Sequence, residues 1–288
     1  MFLLRAVAYR LTVVAVTIVA GGLLAATLAR YAPGFGTDER QLDARLNRDS
    51  LMAIRDASSE ERNIAAYYTG ALRRMGHGDL GISRSLQRPV RELLVERGAV
   101  TLKMVGAGLA LAWLFAAFLV VAAWWLHSAV VETACSMAGG LLLCLPAGAV
   151  ALLLILLNLP GCVAVAAVVF PKVHRYLGEL VQATARMPHI VTGRAKGVSD
   201  AGILLWHVVP VIRKEVLALA GVSVGLALSA AIPVEALCGI PGVGQLAWRS
   251  AMARDVPVLI TVSLLVVGFT VLANSGADLL ADERRLVG

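Results

Sequence analysis

The chain has 288 residues, of which 59% are hydrophobic and 16% charged, and its mean hydropathy is +0.79. A soluble domain averages about 45–50% apolar and about 25% charged residues, so this composition points to a membrane and excludes a disordered chain. Four cysteines in 288 residues exclude a disulfide scaffold, and the net charge of +7 is not gathered into a nucleic-acid-binding motif.

A membrane helix needs about 20 apolar residues, and the uncharged runs supply candidates in chain order. Residues 11–29 lie between Arg10 and Arg30, and residues 104–126 follow Lys103. Between Glu132 and Lys172 there are 39 residues without Asp, Glu, Lys or Arg. That is too long for one span and suits two. The turn signal Asn158-Leu159-Pro160-Gly161 predicts the break, leaving 133–157 as one helix and starting the next near Pro160. This fourth helix must run past Lys172, Arg175 and Glu179, where long basic side chains snorkel toward the surface or serve the conduit. Residues 216–234 and 256–277 are the last two runs. The total predicted is six transmembrane helices in an all-α polytopic membrane protein.

Arg5 and Arg10 place the N-terminus in the cytoplasm. Residues 31–98 are then outside, 127–132 inside, 158–160 outside, 183–212 inside, 235–255 outside and the C-terminus inside. The stretch 172–215 carries seven Lys and Arg against three acids, whereas 31–98 carries 11 Arg and 10 acids. The basic loop therefore falls on the cytoplasmic side, where membrane lipids are a further expected partner. The predicted domains are an N-terminal helix (1–30), an extracytoplasmic amphipathic segment (31–98) and a five-helix core (99–288) with a cytoplasmic loop at 183–212.

Within that loop, Gly197 is a predicted helix C-terminus, and Ser199 or Asp200 caps the next helix. In the outer loop, Pro241-Gly242-Val243-Gly244 demands a tight turn. Cys135, Cys144, Cys162 and Cys238 form no Cys/His cluster, so no metal site is expected. No Gly-x4-Gly-Lys-Ser/Thr phosphate loop is present, nor a hydrolase or metalloprotease motif, and His77, His127, His174, His189 and His207 are scattered. No catalytic residue and no bound cofactor are expected.

Four collinear stretches carry a resemblance. They are Tyr68 through Gly78-Asp79-Leu80-Gly81-Ile82-Ser83; Pro89-Val90 with Leu93-Leu94, Arg97 and Thr101-Leu102; Arg194-Ala195-Lys196-Gly197 with His207; and Glu235, Pro241-Gly242-Val243-Gly244, Arg254-Asp255-x-Pro257, Asn274 and Asp278. Together, on the correct sides of six spans, they resemble the first-named inner-membrane permease subunit of binding-protein-dependent ABC importers of the dipeptide, oligopeptide and nickel type. The resemblance implies a type I ABC importer permease fold in the bacterial inner membrane. It also implies a second permease subunit, two ATPase subunits that hold ATP and Mg, and an extracytoplasmic solute-binding protein.

By the same resemblance, residues Val191, Thr192, Gly193, Arg194, Ala195, Lys196, Gly197, Val198, Ser199, Asp200 and His207 form the loop that couples to the ATPase. The family pattern there is Glu-Ala-Ala, three residues, then Gly; Val191-Thr192-Gly193 stand in the first three places and Gly197 is kept. Glu235, Pro241, Gly242, Gly244, Arg254 and Asp255 are implied at the binding-protein face, and Arg175 and Asn274 are candidate pathway residues. The third span lacks the family's Ser-x-Pro pattern. The competing readings are a self-contained secondary transporter or channel, for which repeats and acidic midplane residues would be needed, and a membrane assembly subunit that kept the fold without transport.

Overall fold

The computed structural model describes residues 12–13, 15–17, 19–24, 27, 64–126 and 129–282. The residues described between 12 and 27 are helical. After them come α1 (Ile64–Gly76), α2 (Val90–Leu126), α3 (Ala129–Cys144), α4 (Ala147–Leu156), α5 (Gly161–Ala185), α6 (Pro188–Ala195) and α7 (Asp200–Ile203). A π-helical turn (Leu204–Val208) then leads into α8 (Val209–Cys238), followed by α9 (Val243–Met252) and α10 (Val256–Asp282). Among the described residues there is no strand, and the sole bridge pairs Ile82 with Pro89. Residues 31–63 of the expected amphipathic segment 31–98 lie outside the described residues, as does part of the expected first span.

Among the described residues, three stretches are long and apolar enough to cross a membrane: Val90–Leu126, Asp200–Cys238 and Val256–Asp278. At 1.5 Å per residue the first is about 55 Å long, so it extends well beyond a hydrocarbon core of about 30 Å. Its first turn follows Pro89, whose carbonyl accepts from the amides of Glu92 and Leu93. Leu114, Phe115 and Phe118 are exposed on α2, and Leu265, Phe269 and Leu272 on α10. Apolar faces of this size belong against lipid or another protein. α5 carries Lys172, Arg175 and Glu179 and is not among the strongly apolar spans.

The expected third span is a different object. Residues 133–157 do not form one helix, because the chain breaks at Leu145-Pro146 and the pair Met137–Cys144 and Ala147–Leu156 is bent by 101°. Pro146 has no N–H to continue α3 and sits extended at the start of α4. The bent pair is either one broken span or a re-entrant loop, which brings the spans to at most four among the described residues. The break expected at 158–161 is present as well. Asn158 takes a left-handed φ of 55°, and Pro160 sits just ahead of α5.

The chain divides into two compact units. The first comprises Met1–Gly98 with Leu246–Gly268. In it Tyr68 is buried among Val256, Ile260 and Leu264, and its hydroxyl donates to the Val19 carbonyl at 2.8 Å. A Cβ at Gly22 would fall on that hydroxyl, so the glycine lets the N-terminal helix seat here.

The second unit comprises Ala99–Gln245 with Phe269–Gly288. Gly221 and Gly225 of α8 are spaced for close helix contact. An added Cβ at Gly221 would lie 2.9 Å from the Ala277 Cβ and 3.1 Å from the Asn274 Cα, and one at Gly225 2.7 Å from the Thr270 Cγ2. α8 and α10 therefore touch nearly backbone to backbone.

Candidate functional site

The loop expected at 183–212 is built as its sequence dictates. Pro188 opens α6 in the first turn, where a missing N–H costs nothing. Gly197 ends it at φ +79°. Its amide donates to the Arg194 carbonyl, and the Val198 amide to the Gly193 carbonyl, which is the paired closure of a left-handed helix end. The Ser199 hydroxyl then accepts from the Gly202 amide at 3.3 Å and caps α7. Ile190 and Gly193 face inward, while Val191, Thr192, Arg194, Ala195, Lys196, Gly197, Val198, Ser199 and Asp200 are all exposed. Val191, in the place of the family's acidic residue, is 58% exposed.

His207 is half-buried, with Nδ1 3.4 Å from the Gly202 carbonyl five residues back. It lies in the π turn Leu204–Val208. Pro210 follows and offers no N–H to the carbonyl of Trp206, which favours the wider turn. His207 therefore packs on its own helix rather than joining the exposed row.

In the same unit, the loop after α8 closes on a buried carboxyl. Glu235 is fully buried near the end of α8. Its Oε2 accepts from the amides of Gly244 at 2.6 Å and Gln245 at 3.3 Å. Its Oε1 accepts from the Thr101 hydroxyl at 2.7 Å, and the Thr101 Oγ1 accepts from the Val243 amide at 2.8 Å. One carboxyl and one hydroxyl thus satisfy three amides in the first turn of α9, groups that have no partner within their helix. Gly239, left-handed at φ +66°, ends α8 and turns the chain toward this closure. The Pro-Gly-Val-Gly motif gains its reason here, because a Cβ at Gly242 would overlap the Glu235 carboxyl. Pro241 stays exposed while Gly242 and Gly244 are buried.

The first unit holds a second buried carboxylate. Asp255 Oδ2 accepts from the Ser83 hydroxyl at 2.6 Å, the Ser85 amide at 2.9 Å and the Ser85 hydroxyl at 2.7 Å. Gly78 and Gly81, both at positive φ, shape the turn that presents these serines. Arg254, exposed and left-handed at φ +53°, turns Asp255 inward. Burial pushes the Asp255 carboxyl up, but hydrogen bonds from Ser83 and Ser85 and from the Arg84 backbone outweigh it and hold it below the usual carboxylate range. A depressed folded-state value adds stability above the unfolded pKa of about 3.9, and this is lost as pH falls through the folded value. Thermal melts of the chain in detergent between pH 6 and pH 3 should therefore show an acid-side loss that Asp255→Asn makes shallower. Parallel curves for both proteins would refute this role.

Glu235 and Asp255 thus turn inward, and Pro241 and Arg254 are the exposed members of the expected outer set. Sequence reasoning did not find the partners Thr101, Ser83 and Ser85 as such, although Thr101 and Ser83 stood in the quoted motifs. Arg175 is exposed and paired with Glu179 at 2.9 Å. Asn274 packs beside Gly221, and its Oδ1 is buried without a hydrogen-bond partner among the described residues. No group of His, Cys, Asp and Glu suited to a metal occurs among the described residues.

Residues 112–285, more than half of the chain, match the family model described as binding-protein-dependent transport system inner membrane component. The chain is 25% identical to the nickel import system permease protein NikB of Staphylococcus aureus (strain bovine RF122 / ET3-1) over an alignment of 298 residues, covering 97% of this chain and 90% of that protein. It is 30% identical over 105 residues to a putative peptide permease protein of Brucella ovis, covering 36% of this chain. A putative peptide permease protein of Brucella suis biovar 1 matches equally. The matched region spans 33%, about a third, of each Brucella protein's length. The helices long and apolar enough to cross a membrane agree with these matches, and the chain belongs to the family of binding-protein-dependent transport system inner membrane components, the multi-pass permease subunits of ABC importers.

Proposed function

We propose that this permease forms half of a translocation pathway and pairs with a second permease subunit. Two ATPase subunits, which hold ATP and Mg, dock on the loop around residues 188–200. A solute-binding protein delivers cargo at the outer face, near Pro241 and Arg254. Both termini lie in the cytoplasm. The cargo is a peptide or nickel, as named for the Brucella and Staphylococcus relatives.

The observation that carries the docking reading is α6 itself. Ile190 is fully buried beneath it, yet residues 194–200 are exposed without interruption. A short helix fixed on one side and bare on the other can receive a partner and pass on its motion as a rigid body. Nothing lies within 4 Å of a Cβ built at Gly197, so a larger side chain there meets the partner rather than this chain.

The test is to purify the complex from its native membrane through a tag on this chain, identify its members and assay ATP hydrolysis. Uptake of radioactive nickel and of a labelled dipeptide by cells with and without the chain then tests the cargo. In Gly197→Leu, whichever uptake depends on the chain should fall at least tenfold while the chain itself stays in the membrane. Undiminished uptake by Gly197→Leu would remove the docking assignment. A complex without any ATPase would remove the whole arrangement.

A further inference from the structure

Within the second unit, α2 is fastened at both ends to the two sites described above. At one end Thr101 holds the outer closure through Glu235 and the Val243 amide. At the other, Trp124 lies two residues before the end of α2 and is nine-tenths buried, at 9% exposure. It belongs to one buried cluster with Val120 of α2, Leu177 and Val181 of α5, Ile190 of α6, and Ile203, Leu204, Val208 and Ile212 of the following helical segments.

The ring also makes two polar contacts with the loop. Its Nε1–H donates to the Asp200 carbonyl at 3.3 Å. The Arg194 guanidinium lies over its face, 5.3 Å from the centroid, and Arg194 reaches Asp200 at 3.9 Å. The ring face thus meets the end of α6 and the ring edge meets the start of α7, on either side of the Gly197 turn. An exposed ion pair such as Arg194–Asp200 contributes little by itself. A buried indole with few rotamers, set in a closely packed cluster, is stiff and transmits displacement. Along the helix Thr101 and Trp124 are about 35 Å apart.

We propose that Trp124 is the positioning residue through which movement of the cytoplasmic loop drives α2, and that α2 carries the movement to the outer closure at Thr101 and Glu235. This rests on the docking reading above and adds the route by which docking reaches the other side. α5 and α8 are joined to the loop by the chain itself. α2 is not, and engages it through the ring.

Hydrogen exchange on the purified complex, with and without Mg-ATP and vanadate, tests the route. In the native complex both the loop peptides at 188–200 and the outer peptides at 237–245 should change their exchange. In Trp124→Leu the loop response should persist and ATP hydrolysis stay within twofold, while the outer response falls at least fivefold. Trp124→Phe keeps a ring under Arg194 and loses the N–H, and should fall between. A full outer response in Trp124→Leu would overturn the proposal. So would parallel loss of both responses and of hydrolysis in Trp124→Phe and Trp124→Leu alike, which would make the ring a fold element only. A native complex with no loop response at all would instead overturn the docking reading, and the route with it.

Discussion

Glu235→Ala lowers the midpoint of thermal unfolding in detergent by on the order of 10 °C, and Glu235→Gln by roughly half that. The carboxyl is fully buried and accepts from Gly244, Gln245 and Thr101. Alanine leaves two amides and a hydroxyl without their acceptor. Each buried donor left unpaired costs about 1–3 kcal/mol, so the sum is about 3–5 kcal/mol if water enters to satisfy one of them. Glutamine keeps the carbonyl oxygen that serves the Gly244 and Gln245 amides. Its amide nitrogen then faces the Thr101 oxygen, which must accept instead of donate while still accepting from Val243. The geometry survives with one poor contact, which sets the intermediate value. The check is a melt of the three proteins in one detergent. Equal midpoints for Glu235→Ala and the native chain would mean that the outer closure does not rest on this carboxyl.

The closure also shows what could be read from the sequence and what could not. Pro-Gly-Val-Gly announces a turn, since proline and glycine have strong local preferences. The purpose of the second glycine is not local. It depends on a carboxyl nine residues earlier and on a threonine 134 residues from that carboxyl. A lone acidic residue at the end of an uncharged run reads as the edge of a span, and nothing in its neighbours says that it is buried. Asp255 has the same character, because its serine partners lie 170 and 172 residues away.

The loop around 188–200 is far more legible. Its geometry is set by Pro188, Gly197 and Ser199, each acting on atoms within four residues of itself. The single unbroken helix expected over 133–157 is not formed for a related reason. Pro146 is a sufficient local signal for a break, but it sits inside 39 uncharged residues that also contain the stronger cluster at 158–161. The length of the run accounts for one break, and the chain breaks twice, at Pro146 and ahead of Pro160. Trp124 carried no signal of its own, because a tryptophan near a span end reads first as an interface anchor.

Gly244→Ala is expected to be strongly destabilising, and Gly197→Ala is its natural comparison. At Gly244 the added Cβ would lie 2.7 Å from the Ile232 Cα and 3.1 Å from the Ala231 carbonyl oxygen. Both obstacles are backbone of α8, so neither can swing aside as a side chain would. The start of α9 must lift away, which lengthens the 2.6 Å bond from the Gly244 amide to Glu235 and exposes the carboxyl. Overpacking alone costs about 1–3 kcal/mol, and the displaced closure adds to it, so a loss above about 3 kcal/mol is expected. At Gly197 there is open space around the Cβ and a left-handed φ of +79°. Alanine there pays for backbone conformation only, about 1–2 kcal/mol. Thermal melts should therefore separate the two variants widely, although both replace a glycine with the same residue. Their functional signatures should part as well. Gly197→Ala folds and acts at the cytoplasmic loop, whereas Gly244→Ala is depleted from the membrane before transport is measured. If Gly244→Ala melts with the native chain, α9 does not sit on α8 as closely as the Gly244 geometry requires.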